Sequence, residues 1–184
     1  MAFKLEQLPP GQDIETQAVL KHAVAANRRL AELKGLSASI PNQGILINTL
    51  AMQEAKDSSA IENIITTQDD LFKEEAFPEF ALNAGAKEVS NYVTALYTGN
   101  RLVQKHRMLT ANHVIEIQAE LEHNRAGFRK LPGTELKNES TGKTVYTPPQ
   151  THGEIVELMK NLERFINDDD FFNADPLVKM AMIH

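Results

Sequence analysis

Apolar residues recur at intervals of three and four along most of this chain. That period lines one face of a helix and cannot line one face of a strand. Ala18, Val19, His22, Ala23, Ala26, Leu30 and Leu33 form the first stripe. Asp13 offers an N-cap, Arg28, Arg29 and Lys34 favour the C-terminal end, and Gly35 suits the position after it, so a helix is predicted over 14–34. His22 lies on the stripe and reads as a packing histidine. Before it, Pro9-Pro10-Gly11 forces an extended arm. After a loop broken by Pro41 and Gly44, the period resumes near Ile45 or Asn48 and runs to about Asp57. Whether it continues through Ser58-Ser59 to Ile65 stays open, because serine favours caps as readily as interiors. Thr66-Thr67 then supplies a cap for a short helix ending before Pro78. Val89, Tyr92, Val93, Leu96, Leu102 and Val103 predict a long amphipathic helix from Ala84 to Lys105, with Gly85 and Gly99 weakening its ends. Thr110 caps the next, which carries Val114, Ile115, Ile117, Gln118 and Leu121 and ends near Asn124.

From Gly127 to Gln150 the text changes. Two short β-prone runs flank a polar turn at Asn138–Gly142, and Pro148-Pro149 forbids extension of the second, which predicts a β-hairpin. Helical periodicity returns from Thr151 or His152 to about Asn167, with Ile155, Leu158, Met159, Leu162 and Phe165 inward. The acid run Asp168–Asp170 reads as a solvated turn. Asp175 and Pro176 read as N-cap and first residue of a further apolar helix reaching His184. The expected fold class is all-α, a multi-helix bundle with one β-hairpin.

With a net charge of −6 the chain lacks the cationic surplus that phosphate neutralisation demands, so no nucleic-acid partner is expected. It has no cysteine, which excludes disulfides, thiolate metal sites and a cysteine nucleophile. No stretch approaches the ~20 apolar residues of a membrane span, and the N-terminus lacks the apolar core of a signal peptide. No membrane partner and a cytoplasmic location are therefore expected. His106, His113 and His123 lack the helical spacing and acidic partner of a metal site.

The run Lys56–Thr67 (KDSSAIENIITT) joins a polar turn to an apolar, buried-looking Ile61/Ile64/Ile65 cluster, with the carboxylate of Glu62 among them. If helical, it stacks Ser58 and Glu62 at i and i+4. Such a carboxylate is either an ordinary surface group or is paired with a cation brought from elsewhere in the fold.

Over Leu46–Phe72 the sequence resembles the N-terminal region of Fic-domain proteins, adenylyltransferases that move AMP from ATP onto a hydroxyl of a target protein. In that family a Ser/Thr-x-x-x-Glu-Gly/Asn segment is an inhibitory helix whose glutamate pairs with an arginine of the ATP site and obstructs the γ-phosphate. The matching residues are Ser58, Glu62 and Asn63. The resemblance extends to Pro148-Pro149 and to residues 175–184. It implies that the hairpin is the flap, with Thr144, Val145 and Tyr146 as the edge that aligns a target segment by main-chain pairing. A plain surface hairpin is the alternative reading. The resemblance divides the chain into an N-terminal helical region with the inhibitory helix (1–80) and the first part of the Fic core (81–184). The family signature His-x-Phe-x-Asp/Glu-Gly-Asn-Gly-Arg-x-x-Arg does not occur, and His184 aligns upstream of its histidine. Catalytic residues, ligands for Mg²⁺ and phosphate-binding arginines are thus expected outside these residues, in a longer parent. The 184 residues alone are expected to be inactive. ATP, Mg²⁺, a hydroxyl-bearing target protein and a homodimer are the implied cofactors and partners. A non-catalytic, antitoxin-like module that supplies an inhibitory glutamate to a partner is the alternative. Removal of AMP, or transfer of another nucleotide, is a third reading.

Overall fold

The structure, a computed structural model, describes residues 5–61, 63–67, 69–71, 73 and 84–184. Its helices are α1 (Gln17–Ser37), α2 (Gln43–Ile61), α3 (Ala84–His106), α4 (Ala111–Glu122), α5 (His152–Asn167) and α6 (Pro176–Ile183). Strands β1 (Leu136–Lys137) and β2 (Thr144–Tyr146) form one antiparallel pair between α4 and α5. Among the described residues the fold is all-α with a single hairpin. The predicted short helix after Thr67 falls partly outside the described residues. Its start is seen, with Thr67 Oγ1 accepting from Asp70 N at 3.2 Å.

The chain divides into two compact units, the first made of residues 1–30, 108–111 and 126–184, the second of 31–107 and 112–125. In the second, α2 packs on α3 through a core of Ala55, Leu71, Ala86 and Val89, with Met52, Tyr92 and Val93 against it. Alanine at two of these contacts lets the helix backbones come close. Tyr97 donates its hydroxyl to Asn48 Oδ1 at 2.5 Å on the same pair of helices. Gly99 was expected to weaken the end of α3. The helix runs through it to His106, one residue past the expected Lys105, and a Cβ at Gly99 would lie 3.1 Å from Ile117 Cδ1 of α4. The glycine is a contact point between two helices. The inward face departs in part from the expected one: Leu102 is buried as expected, and Ala95 and Thr98 are buried with it, whereas Leu96 and Val103 are partly exposed.

In the first unit the start of α1 is shifted from the expected position. Asp13 accepts from Glu15 N at 3.1 Å in a turn, and Thr16 Oγ1 accepts from Val19 N at 3.3 Å, so Thr16 and not Asp13 caps α1. At the other end α1 runs past Gly35 to Ser37. The cap predicted at Asp175 is present: Oδ1 accepts from Leu177 N, while Oδ2 accepts from Asn27 Nδ2 of α1 at 2.8 Å. Glu15 Oε1 in turn accepts from Asp175 N at 2.9 Å, which ties α6 to the approach of α1. Two asparagines of α5 use their amides as backbone surrogates. Asn161 bonds both N and O of Leu8, and Asn167 both N and O of Leu109. Phe165 is fully buried, its ring stacked on Phe172 with centroids 5.1 Å apart.

The acid run after α5 is engaged by cations. Asp168 accepts from Arg164 Nε at 3.1 Å and Asp169 from Lys179 Nζ at 3.0 Å. The hydrogen bond from Arg164 holds the Asp168 carboxyl below the ordinary aspartate range, helped by the amide of Phe171. A depressed folded-state value contributes stability above the unfolded pKa of about 3.9, and that stability is lost as pH falls through the lower folded value. In a carbon-detected NMR titration the Asp168 carboxyl should reach its midpoint below that of a free aspartate, and Arg164→Ala should raise it.

Candidate functional site

Helix α2 runs unbroken through Ser58-Ser59 but ends at Ile61, short of Ile65. Its end is set by Asn63, whose φ is 63°. Asn63 N donates to Ala60 O at 3.1 Å and Ile64 N to Ser59 O at 3.0 Å. This pair of bonds, from five-to-two and six-to-one positions, is a Schellman cap with Asn63 at its left-handed residue. Glycine or asparagine suits this position, because other side chains clash in this conformation by roughly 1–2 kcal/mol. Asn63→Gly should therefore leave the thermal midpoint within a degree or so, whereas Asn63→Val should lower stability by about 1–2 kcal/mol and speed amide exchange in the last turn of α2.

Glu62 lies outside the described residues. Ser58 donates its hydroxyl to Glu54 Oε1 at 2.9 Å, one turn back along α2. The apolar cluster expected here does not exist as a buried group. Ile61 is 84% and Ile65 is 81% exposed, and only Ile64 is half-buried. The cap reverses the chain between Ile61 and Ile65, which breaks the i, i+4 row that sequence spacing implied.

Ser58, the buried Ser59 and Ile64 line a cleft of about 620 Å³, together with Lys87 and Asn91 of α3 and His123 at the end of α4. Asn91 Oδ1 lies 2.8 Å from His123 Nε2, so that nitrogen is the donor and Nδ1 faces elsewhere. His123 has φ 51°, a left-handed residue that stops α4. Glu88 and Glu122 also border the cleft, so its walls carry both signs of charge. Such a lining suits a polar ligand with donors and acceptors. Sequence reasoning took the 84–105 helix for its apolar face alone, and nothing in the spacing marks Lys87 and Asn91 as neighbours of Ser58. Among the described residues no group of three or more His, Asp or Glu side chains is placed to hold a metal ion. His106 and His113 face each other, ring centroids 5.0 Å apart.

In the first unit, the hairpin forms where the sequence placed it. Leu136 pairs with Tyr146 and Lys137 with Thr144, so Val145 is the extra residue of a bulge. Gly142, with φ 66°, and Asn138 close the turn, Gly142 N donating to Asn138 O at 2.8 Å. No third strand lies on the far edge of β2 among the described residues. Thr144 Oγ1 donates to Glu135 at 3.1 Å, and Val145 is exposed. The hydrogen bonds from Lys137 and Thr144 hold the Glu135 carboxyl below its ordinary range.

The base of the hairpin is held by a residue that sequence reasoning passed over. Gln150 accepts from Gly133 N at 2.7 Å, and its Nε2 donates to Thr134 O and Pro148 O at 3.1 and 2.5 Å. One side chain thus joins both legs of the hairpin. Arg129 adds a hydrogen bond to Pro149 O, and His152 Nδ1 donates to Arg129 O at 3.1 Å. A glutamine after two prolines carries no signal of this role, because its partners are main-chain atoms.

No described helix is long and apolar enough to cross a membrane. Residues 20–101, which contain α2, its left-handed cap and most of α3, match the family model described as Fic/DOC family N-terminal. Over that region, somewhat under half of its length, the chain is similar to the N-terminal part of Fic/DOC family proteins.

Proposed function

We propose that these residues form the regulatory and target-docking part of a self-inhibited protein adenylyltransferase, which transfers AMP from ATP to a Tyr, Thr or Ser hydroxyl and releases pyrophosphate. The observation that supports this most is the Ser58–Asn63 motif, within the stretch that matches the Fic N-terminal model and ending in a left-handed Asn63. Glu62 would inhibit by occupying an arginine otherwise available to the triphosphate, and its like charge would disfavour the γ-phosphate there. Thr144, Val145 and Tyr146 would align the target main chain as an added strand. Neither role asks for a nucleophile or a base from these residues. Among the described residues no group of three or more His, Asp or Glu side chains could hold a metal ion, and the ligand for Mg²⁺ is proposed to lie in the signature segment. No step is therefore assigned to the metal in this chain. Because the family signature is absent from the sequence, the transfer itself is proposed for a polypeptide that includes it.

Glu62→Gly in such a polypeptide should raise self-modification by labelled ATP at least tenfold. An unchanged signal removes the inhibitory role of Glu62. A second reading is an inhibitory module that lends Glu62 to a separate catalytic protein. In that case adding the 184-residue chain should suppress adenylylation by the partner, and the Glu62→Gly chain should not.

A further inference from the structure

The hairpin stands out electrostatically. The chain as a whole carries −6, yet between Phe128 and Gln150 the basic residues Arg129, Lys130, Lys137 and Lys143 outnumber the acids Glu135 and Glu139. The carboxylate nearest β2 is already neutralised: Glu135 is paired with Lys137 at 3.2 Å and accepts the Thr144 hydroxyl. Lys143 immediately precedes β2 and is exposed, as is Lys130, and neither has an ion pair among the described residues. Lys143 therefore stands next to the main-chain groups of Thr144 and Val145, on a hairpin that carries a net +2 in an otherwise acidic molecule.

We propose that this edge docks an extended, acidic segment of a partner protein, the main chain pairing with β2 and a carboxylate meeting Lys143. The inference rests on the reading of the hairpin as a docking edge and adds to it the chemical class of the segment. Strand pairing supplies affinity with little regard to side chains, so the flanking charges set the preference. The acidic remainder of the chain disfavours acidic segments elsewhere and steers them to this edge.

The test is fluorescence anisotropy on the 184-residue chain with labelled nonapeptides sharing a Thr-Val-Ser-Val centre and flanked by glutamates or by lysines. At 0.1 M salt the glutamate-flanked peptide should bind more tightly, by roughly 3- to 30-fold, as expected for one or two exposed charge pairs. The difference should vanish in 1 M salt, where screening reaches only about 3 Å. Lys143→Glu should reverse the order, and N-methylation of alternate peptide amides should abolish binding of both. Equal binding of the two peptides, or an order unaffected by Lys143→Glu, overturns the acidic preference and leaves strand docking standing. No binding of either overturns both. A dimer of this chain that competes with both peptides overturns the proposal in favour of a second copy at the edge. None of these outcomes touches the adenylyl-transfer reading, which the Glu62→Gly assay decides separately.

Discussion

Phe165→Ala should lower the stability of the first unit by about 3–5 kcal/mol, the range for removing a large buried ring without collapse of its cavity. The ring has no solvent exposure, stacks on Phe172, and lies 5.7 Å beneath the Lys179 ammonium. Deleting it does more than open a void. Lys179 is itself buried, its side chain 9% exposed, while its partner Asp169 is 85% exposed. The aromatic face is thus the part of the ammonium's surroundings that water does not already share, and cation–π attraction is lost with the ring. A domain of this size has a total stability of about 5–15 kcal/mol, so the loss is a large fraction. The thermal midpoint should fall by roughly 6–20 °C, at ~2–4 °C per kcal/mol. Phe165→Leu, which refills most of the volume, should recover more than half of the loss. Equal midpoints for the alanine variant and the native chain would show that Phe165 is not the centre of this core.

Val89→Asp should act on the second unit as severely. Val89 is fully buried at the contact of α3 with α2, between Ala55, Ala86 and Leu71. An aspartate there finds no cation in that cluster, and an unpaired buried carboxylate either costs several kcal/mol or takes up a proton. At neutral pH, amide exchange in α2 and α3 should approach that of an open chain. Lowering the pH toward 5 should restore part of the protection as the carboxyl is neutralised. Val89→Ala, a smaller cavity, should cost about 1–3 kcal/mol and show no such pH dependence. A Val89→Asp chain that keeps native exchange rates would place the core elsewhere.

Much of the architecture is legible in the sequence because the helices are amphipathic with clear caps. Thr151 and Asp175 cap α5 and α6 as their residue types require, and Pro176 sits where a missing N–H costs nothing. The hairpin was legible through Asn138 and Gly142, whose backbone preferences close the turn. Errors arose where a local rule met a tertiary contact. Gly99 reads as a weak point along the chain and is a point of approach in space. The Ile61–Ile65 row looks buried by spacing, yet spacing presumes a helix that Asn63 has ended. The sites divide in the same way. Motif residues carry a pattern, whereas Gln150, Asn161 and Asn167 act through amide groups on main chain far away in sequence, a partnership that periodicity does not encode.

The reach of those amides bears on how the chain matures. Leu8 and Asn161 are separated by 153 positions, and Glu15 and Asp175 by 160. On a ribosome the arm around Leu8 emerges long before the amide that fastens it has been synthesised. Meanwhile α2 and α3, adjacent in the chain, already have each other. The segment around Leu8 is thus made well before the residues that secure it, and stays open to proteases and quality-control factors until α5 has been translated.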